Sequence, residues 1–313
     1  PVPTAIEAAR EPAQPAEIGS VEELYLVGRH LEQYRHATRS PEPYWTEALR
    51  RDPGHAASHT ALAARRYREA YFDTAEGHCR AAIARLTMLN PNPETGEAHY
   101  LLGLTLLRLG RDDEAYDAFG KATWLDGWVA AGSLQMAMID ARHGRNETAW
   151  QRVRAALTAR PDQLRSRDLA VIVLKRLGRT LEADALLAET LAMDPLDAWA
   201  RQLAGTLTDG LAEAQTLVDV GIEAERVGEY DVAAELYRRA VEADSTRPLG
   251  QTACGVLAGY HLAMSLDLLG DHPGAAQARA AARTGDRTWN FASRVDDVMA
   301  LQAAVAADPH DAT

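Results

Sequence analysis

Cysteine is nearly absent, with only Cys79 and Cys254 in 313 residues. A disulfide framework needs more cysteines at short spacings, so a small stapled secreted fold is excluded and a reducing, cytoplasmic setting is expected. Lysine is as scarce, at Lys121 and Lys175 alone, and arginine carries almost all the positive charge. That bias is expected of GC-rich coding and points to a bacterial source. Basic charge is also in deficit, 33 Lys and Arg against 45 Asp and Glu. A net charge of −12 disfavours nucleic acid or an anionic membrane as partner, since both demand a basic surface. No apolar run of about 18 residues occurs, so no membrane-crossing helix is predicted. Residues 1–20 are rich in Ala, Pro and Glu and lack the apolar core of a signal peptide, so they read as a linker. Aromatics are only 6% of the chain while alanine is abundant, a balance that suits closely packed helices better than a large sheet.

What the chain has is a period. Gly110, Gly144 and Gly178 stand 34 residues apart, as do Ala115, Ala149 and Ala183, and also Pro161 and Pro195. Three residue types that agree on one interval mark a repeat. Within it, apolar residues recur at helical spacing, as in Leu102, Leu106 and Leu109, then Tyr116, Phe119 and Ala122. The glycine ends the first helix of a pair in a left-handed conformation, and the proline stops the second. Gly28, Gly103, Gly221 and Ala115 are expected to let helix axes approach, while Trp45, Phe119 and Tyr237 fill the space between pairs. Ala48, Ala82 and Ala122 extend the ladder upstream, with six extra residues absorbed by the turn-forming loop Asn90–Gly96. Gly178 to Gly228 spans 50 residues, which predicts one additional helix over Asp197–Leu207, ended by Asp209 and Gly210. Gly228 to Gly270 carries eight extra residues within Ser245–Thr252.

The prediction is an all-α solenoid of about seven helix pairs, plus an extra helix and a C-terminal helix. Its expected divisions are the linker at 1–20, five repeats over 21–195, the extra helix within 196–210, and two further repeats over 211–285. A C-terminal helix in 286–313 is expected to lead into a truncated next repeat. Leu301, Ala304 and Pro309 reproduce the spacing of Trp45, Ala48 and Pro53, so the natural protein is expected to continue.

Leu102, Gly103, Leu106, Gly110, Ala115, Phe119 and Ala122 resemble the consensus of the tetratricopeptide repeat (TPR). The likeness extends over about Val21 to Ala282. It weakens in the first pair, where Pro41 replaces a small residue, and in the last, where Arg279 replaces an aromatic. The stretches His30–Gly54, Leu89–Gly103 and Ala115–Trp124 look like long bacterial TPR proteins with an N-terminal domain of unknown function. The resemblance implies a right-handed superhelix whose concave groove takes a peptide or partner protein.

Motifs for chemistry are few. There is no P-loop, no G-x-G-x-x-G and no G-x-S-x-G, and no catalytic residue, cofactor or metal is assigned. His55 and His59 share a helical face but lack a third ligand nearby. Cys79 follows His78 and aligns with Trp45 and Phe119, so it reads as an inert packing thiol. Asn146-Glu147-Thr148 fits a glycosylation acceptor but is expected to open a helix. Asp112-Asp113 and Asp296-Asp297 fall at predicted helix starts, where carboxylates favour the dipole. Trp289 and Phe291 are expected to staple a loop onto the last pair.

The most suggestive set is Arg68, Arg108, Arg142, Arg176 and Arg226, each two residues before a turn position held by Ala70 or a glycine. With Arg29 and with Tyr25, Tyr67, Tyr100 and Tyr260, they are the residues expected to line a groove for an acidic peptide. The same arginine site also stabilises a helix C-terminus, which needs no ligand. The function expected is a non-catalytic interaction scaffold whose partner is a protein or peptide. The alternative is an accessory array serving a catalytic, carbohydrate-related domain elsewhere in a longer parent.

Overall fold

The computed structural model describes residues 11–208, 213–248 and 250–309, and the predicted stop at Asp209 and Gly210 lies outside them. Sixteen α-helices form among the described residues, and the chain divides into two compact units meeting between Leu109 and Gly110.

The first unit contains α1 (Val21–Gln33), α2 (Glu42–Arg51), α3 (Ala56–Arg68), α4 (Phe72–Leu86) and α5 (Glu97–Arg108). Ser20 caps α1 through its hydroxyl, which accepts from the Glu23 amide at 3.1 Å. Leu24, Gly28 and Leu31 give α1 one buried stripe. Gly28 is where α2 comes closest, since a Cβ there would lie 2.4 Å from Trp45 Nε1. Residues 13–18, expected within a linker, are instead fastened to this first pair. Ile18 is buried with Leu24, Leu31, Tyr44 and Ala48. The Tyr44 hydroxyl donates to Ala13 O at 3.0 Å, and Arg51 donates to Ile18 O at 2.6 Å and Pro15 O at 3.2 Å. A single apolar residue and a long arginine are enough to convert a proline-rich tail into a cover for the end of the unit.

The second unit runs through α6 (Asp112–Ala122), α7 (Asp126–Arg142), α8 (Asn146–Ala159), α9 (Leu164–Arg176), α10 (Thr180–Met193) and α11 (Ala198–Leu203). It continues with α12 (Ala214–Arg226), α13 (Tyr230–Ser245), α14 (Gly255–Leu268), α15 (His272–Thr284) and α16 (Val295–Ala307). One buried apolar seam extends from Leu134 to Ala258 and includes Trp199 of the extra helix. Gly221 repeats the close approach of Gly28, as a Cβ there would sit 2.5 Å from the Tyr237 ring.

Glycine at the turn position is required by the backbone. Gly110, Gly144, Gly178, Gly228 and Gly270 all have φ between +71° and +82°. Ala70 occupies the same position at φ +61°, a conformation unfavourable for a residue with a Cβ.

Two expectations are corrected in the second unit. The extra helix is shorter than Asp197–Leu207. Asp197 is its N-cap, and Gly205, at φ +70°, ends it. Trp289 and Phe291 do not staple onto the last pair, for they are 56% and 62% exposed. Their loop is held through its backbone, where the Ala253 amide donates to Trp289 O at 2.9 Å. The true fastening of α16 is Asp297. Its Oδ2 accepts from the amides of Ser293 and Arg294, and its Oδ1 lies 3.0 Å from Nε2 of buried His261 on α14. Burial raises the pKa of Asp297, but these hydrogen bonds outweigh it and hold the carboxyl below its ordinary value.

Candidate functional site

The first unit carries a groove of about 350 Å³. One wall is Tyr25, Arg29 and Glu32, which recur on a single face of α1. Its floor is α3, where Ala57, Ala61 and Ala64 present small side chains and Arg68 closes the end. The small residues are what make the depression, since any larger side chain at those positions would fill it. Tyr25 is half-buried, with its ring edge on His55 at a centroid distance of 5.9 Å. Arg68 pairs with Glu32. Arg29 is exposed and forms no ion pair among the described residues.

The second unit carries a groove of about 440 Å³ between α9, α11, α12 and the start of α16. Five carboxylates line it against three guanidiniums. Each guanidinium is already committed. Arg165 meets Glu223 at 2.7 Å, Arg226 meets Asp296 at 2.8 Å, and Arg294 meets Asp219 at 2.6 Å. Asp168, 1% exposed, lies at the base without a hydrogen-bond partner for Oδ1. Burial, with Asp197 beside it, pushes the Asp168 carboxyl up to about 8.

The predicted residues do not converge on one surface. Tyr25, Arg29 and Arg68 share the first groove, while Arg226 lines the second. Tyr67 accepts from Arg108 Nε at 3.2 Å and stands edge-on to Phe72. Tyr100 is half-buried on α5. Tyr260 is 4% exposed and packs with Ala282, Ala300 and Ala304, so it lines no groove. The apolar seal between α14 and α16 covers it, a burial that helical spacing alone did not reveal. Arg142 bonds Asp112 at 2.7 Å. Arg176 joins three parts of the second unit, donating to Ala141 O at 2.8 Å, Val227 O at 3.0 Å and Glu229 at 2.7 Å. These arginines satisfy helix ends and neighbouring carboxylates.

Most of the remaining motif residues are placed by local packing and hydrogen bonds. His55 caps α3, with Nδ1 2.9 Å from Ser58 Oγ, and His59 Nδ1 lies 2.9 Å from His78 Nδ1. Among the described residues no group of three or more His, Cys, Asp or Glu is arranged to hold a metal ion. Cys79 is fully buried, and burial pushes its thiol up to about 12, so it stays protonated. Asn146 opens α8, although its side chain makes no capping bond. The Asp168–Asp197 pair was missed by motif reading. Its one signal is that Asp168 stands 34 residues beyond Leu134, which itself stands 34 beyond Tyr100.

Antiparallel helix pairs joined by left-handed residues and recurring at a fixed period define an α-helical repeat solenoid. Residues 96–126 match the family profile described as tetratricopeptide repeat. A tetratricopeptide repeat protein from Parabacteroides merdae is similar in fold, with a TM-score of 0.52 at 13% identity, covering 91% of this chain and 98% of its own. The C-terminal part of a TPR repeat-containing protein from Cytophaga hutchinsonii aligns at 13% identity over 90% of this chain and 98% of its own, with a TM-score of 0.45. YrrB, described as a TPR protein with an unusual peptide-binding site, aligns at 16% identity over 58% of this chain and 90% of its own, with a TM-score of 0.47. The chain has a fold of the tetratricopeptide-repeat type, and the family profile matches one repeat, over residues 96–126.

Proposed function

We propose that the chain is a non-catalytic interaction module and that the groove of α1 and α3 receives an extended segment of a partner protein. The carrying observation is a floor of alanines beside an exposed arginine with no ion pair among the described residues. A surface of this kind accepts backbone and small side chains while offering one cation to a carboxylate. Tyr25 supplies a partly buried aromatic anchor, a type enriched among residues that dominate binding energy. Arg29, rather than the paired Arg142 or Arg176, is the cation available to a ligand.

The test is selection of peptides on the full chain, followed by affinity measurement with Ala61→Trp, Arg29→Glu and Tyr25→Ala. Selected peptides should lose roughly tenfold or more in affinity to Ala61→Trp and Arg29→Glu while the melting temperature is retained. Equal binding to parent and Ala61→Trp would exclude this groove. Recovery of no peptide at all would count against the module reading.

A further inference from the structure

We infer that the partner segment received by the groove of α1 and α3 is zwitterionic, with an acidic residue for Arg29 and, a short way along the chain, a basic residue for Glu97. This rests on the reading of that groove as a binding site and adds the charge pattern of its occupant. The groove has a second wall, formed by Leu86 at the end of α4 and by Thr95 and Glu97 at the start of α5. The floor helix α3 packs against both α1 and α5, so the two walls face each other across it. Glu97 is exposed and forms no ion pair among the described residues, the same condition as Arg29 on the opposite wall. Other polar groups of the lining are engaged within the unit. Glu32 pairs with Arg68, the Thr60 hydroxyl donates to Ala56 O at 3.0 Å, and the Thr95 hydroxyl accepts from the Glu97 amide at 3.2 Å. Trp45 Nε1 donates to Tyr25 O at 3.3 Å. Two opposite charges are left over, one on each side of an alanine floor.

Their spacing along the groove follows from the repeat. Counted back from the last residues of their helices, Gln33, Arg68 and Arg108, Arg29 takes the position of Ala64 and Glu97 that of Ala57. Those floor positions are two turns of α3 apart, or roughly 10 Å. An extended chain advances about 3.3 Å per residue, so side chains roughly three positions apart cover that distance. An odd spacing in an extended chain also sends the two side chains to opposite sides, as opposite walls require. Tyr25 counts to the level of Thr60, between the two charges, and small residues of the segment pass it over the alanines. The acid lies towards the C-terminal end of α3 and the base towards its N-terminal end. A segment with one charge alone covers the other group of the groove without pairing it, which costs affinity. Glu97 stands in the first turn of α5, where the helix dipole favours a carboxylate with or without a ligand. Exchange of charge between groove and segment separates those two roles.

The experiment selects acetylated and amidated octapeptides from a random library on the full chain. Affinities of the selected peptides are then measured for the parent, Arg29→Glu, Glu97→Arg and the double exchange. Parent-selected peptides should hold an acid and a base about three positions apart in one constant order. Glu97→Arg should weaken them roughly tenfold, and a peptide whose base is replaced by Glu should recover most of that loss on the same variant. The double exchange should select the opposite order of charges. Thermal melting checks that the variants fold. On the parent alone, replacing the base of the peptide by Gln should cost roughly fivefold, so the question is decided even without a folded variant. Selected peptides with an acid but no base, or full affinity of Glu97→Arg for parent-selected peptides, would overturn the charge pattern and leave the groove as a binding site. Loss on Glu97→Arg with no recovery by the exchanged peptide would overturn it too, because a helix-dipole role behaves in that way. Binding unaffected by Ala61→Trp, or recovery of no peptide, would instead overturn the groove reading and this inference with it.

Discussion

The groove of the first unit and the groove of the second are both framed by the faces of repeat helices, yet they distribute charge differently: two arginines balance two glutamates in the first, while five carboxylates outnumber three guanidiniums in the second. In the first, Arg29 and Glu97 are both exposed and form no ion pair among the described residues, around a floor of Ala57, Ala61 and Ala64. In the second, every lining guanidinium has a carboxylate partner, and the acid at the base, Asp168, is buried and keeps its proton to about pH 8. The arginine ladder shows why. Arg176 and Arg142 stand at the same repeat position as Arg68, but Arg176 is spent on two helix-end carbonyls and Glu229, and Arg142 on Asp112. A charge at a repeat position acquires meaning only through its nearest opposite charge.

The largest effect should come from what the units share, the close approach at a glycine. Gly28→Val drives a side chain into Trp45 and Gly221→Val drives one into Tyr237, both rings being buried. Each should cost about 3 kcal/mol in denaturant unfolding. A markedly smaller loss at Gly221 would mean the second unit yields where the first does not.

Next is the acid at the base of the second groove. The folded chain holds the Asp168 proton to about pH 8, whereas the ordinary carboxyl releases it near 3.8, so stability contributed here falls as pH rises between those values. Asp168→Asn should remove that fall. The variant should gain on the order of 3 kcal/mol over the parent at pH 8.5 and nothing below pH 4, read from unfolding curves at the two pH values. A gain independent of pH would show that packing, not ionisation, is responsible.

The arginines sharpen the contrast further. Arg176→Met strands the Val227 carbonyl and Glu229, while Ala141 O keeps the Gly144 amide, and should lower stability by about 1.5 kcal/mol. Arg29→Met breaks no ion pair among the described residues and should change it by less than about 0.5 kcal/mol. Equal losses in thermal melts would erase the distinction between a cation used internally and one left available. The smallest effect is a gain. Ala70→Gly relieves a left-handed alanine and should stabilise the chain by about 0.5 kcal/mol, less than the full conformational penalty because glycine is freer when unfolded. Gly144→Ala should lose stability by the mirror argument.

Much of the fold could be read from spacing because each repeat is a local object. The ladder of Gly110, Gly144 and Gly178 marks turns that the structure confirms as left-handed, and the burial of Cys79 followed from its alignment with Trp45 and Phe119. What spacing missed involves residues distant in the chain. Tyr260 was placed in a groove because its helical position allowed it, but α16 seals it. Residues 13–18 looked like a tail until Arg51 and Tyr44 met their carbonyls. Trp289 and Phe291 looked like a staple, yet the loop is secured by a backbone hydrogen bond that composition cannot announce.

Sequence by itself determined the period, the helix pairs and the turns, since these depend on helical spacing and on which residues tolerate a left-handed backbone. Tertiary structure alone decided which charges were neutralised and which were left over. Arg29 and Arg176 are chemically identical, and only the placement of carboxylates and carbonyls around them makes one available and the other structural. Asp168 differs from any surface aspartate for the same reason, because the water and counter-charges that would ionise it are excluded by helices far away in the chain.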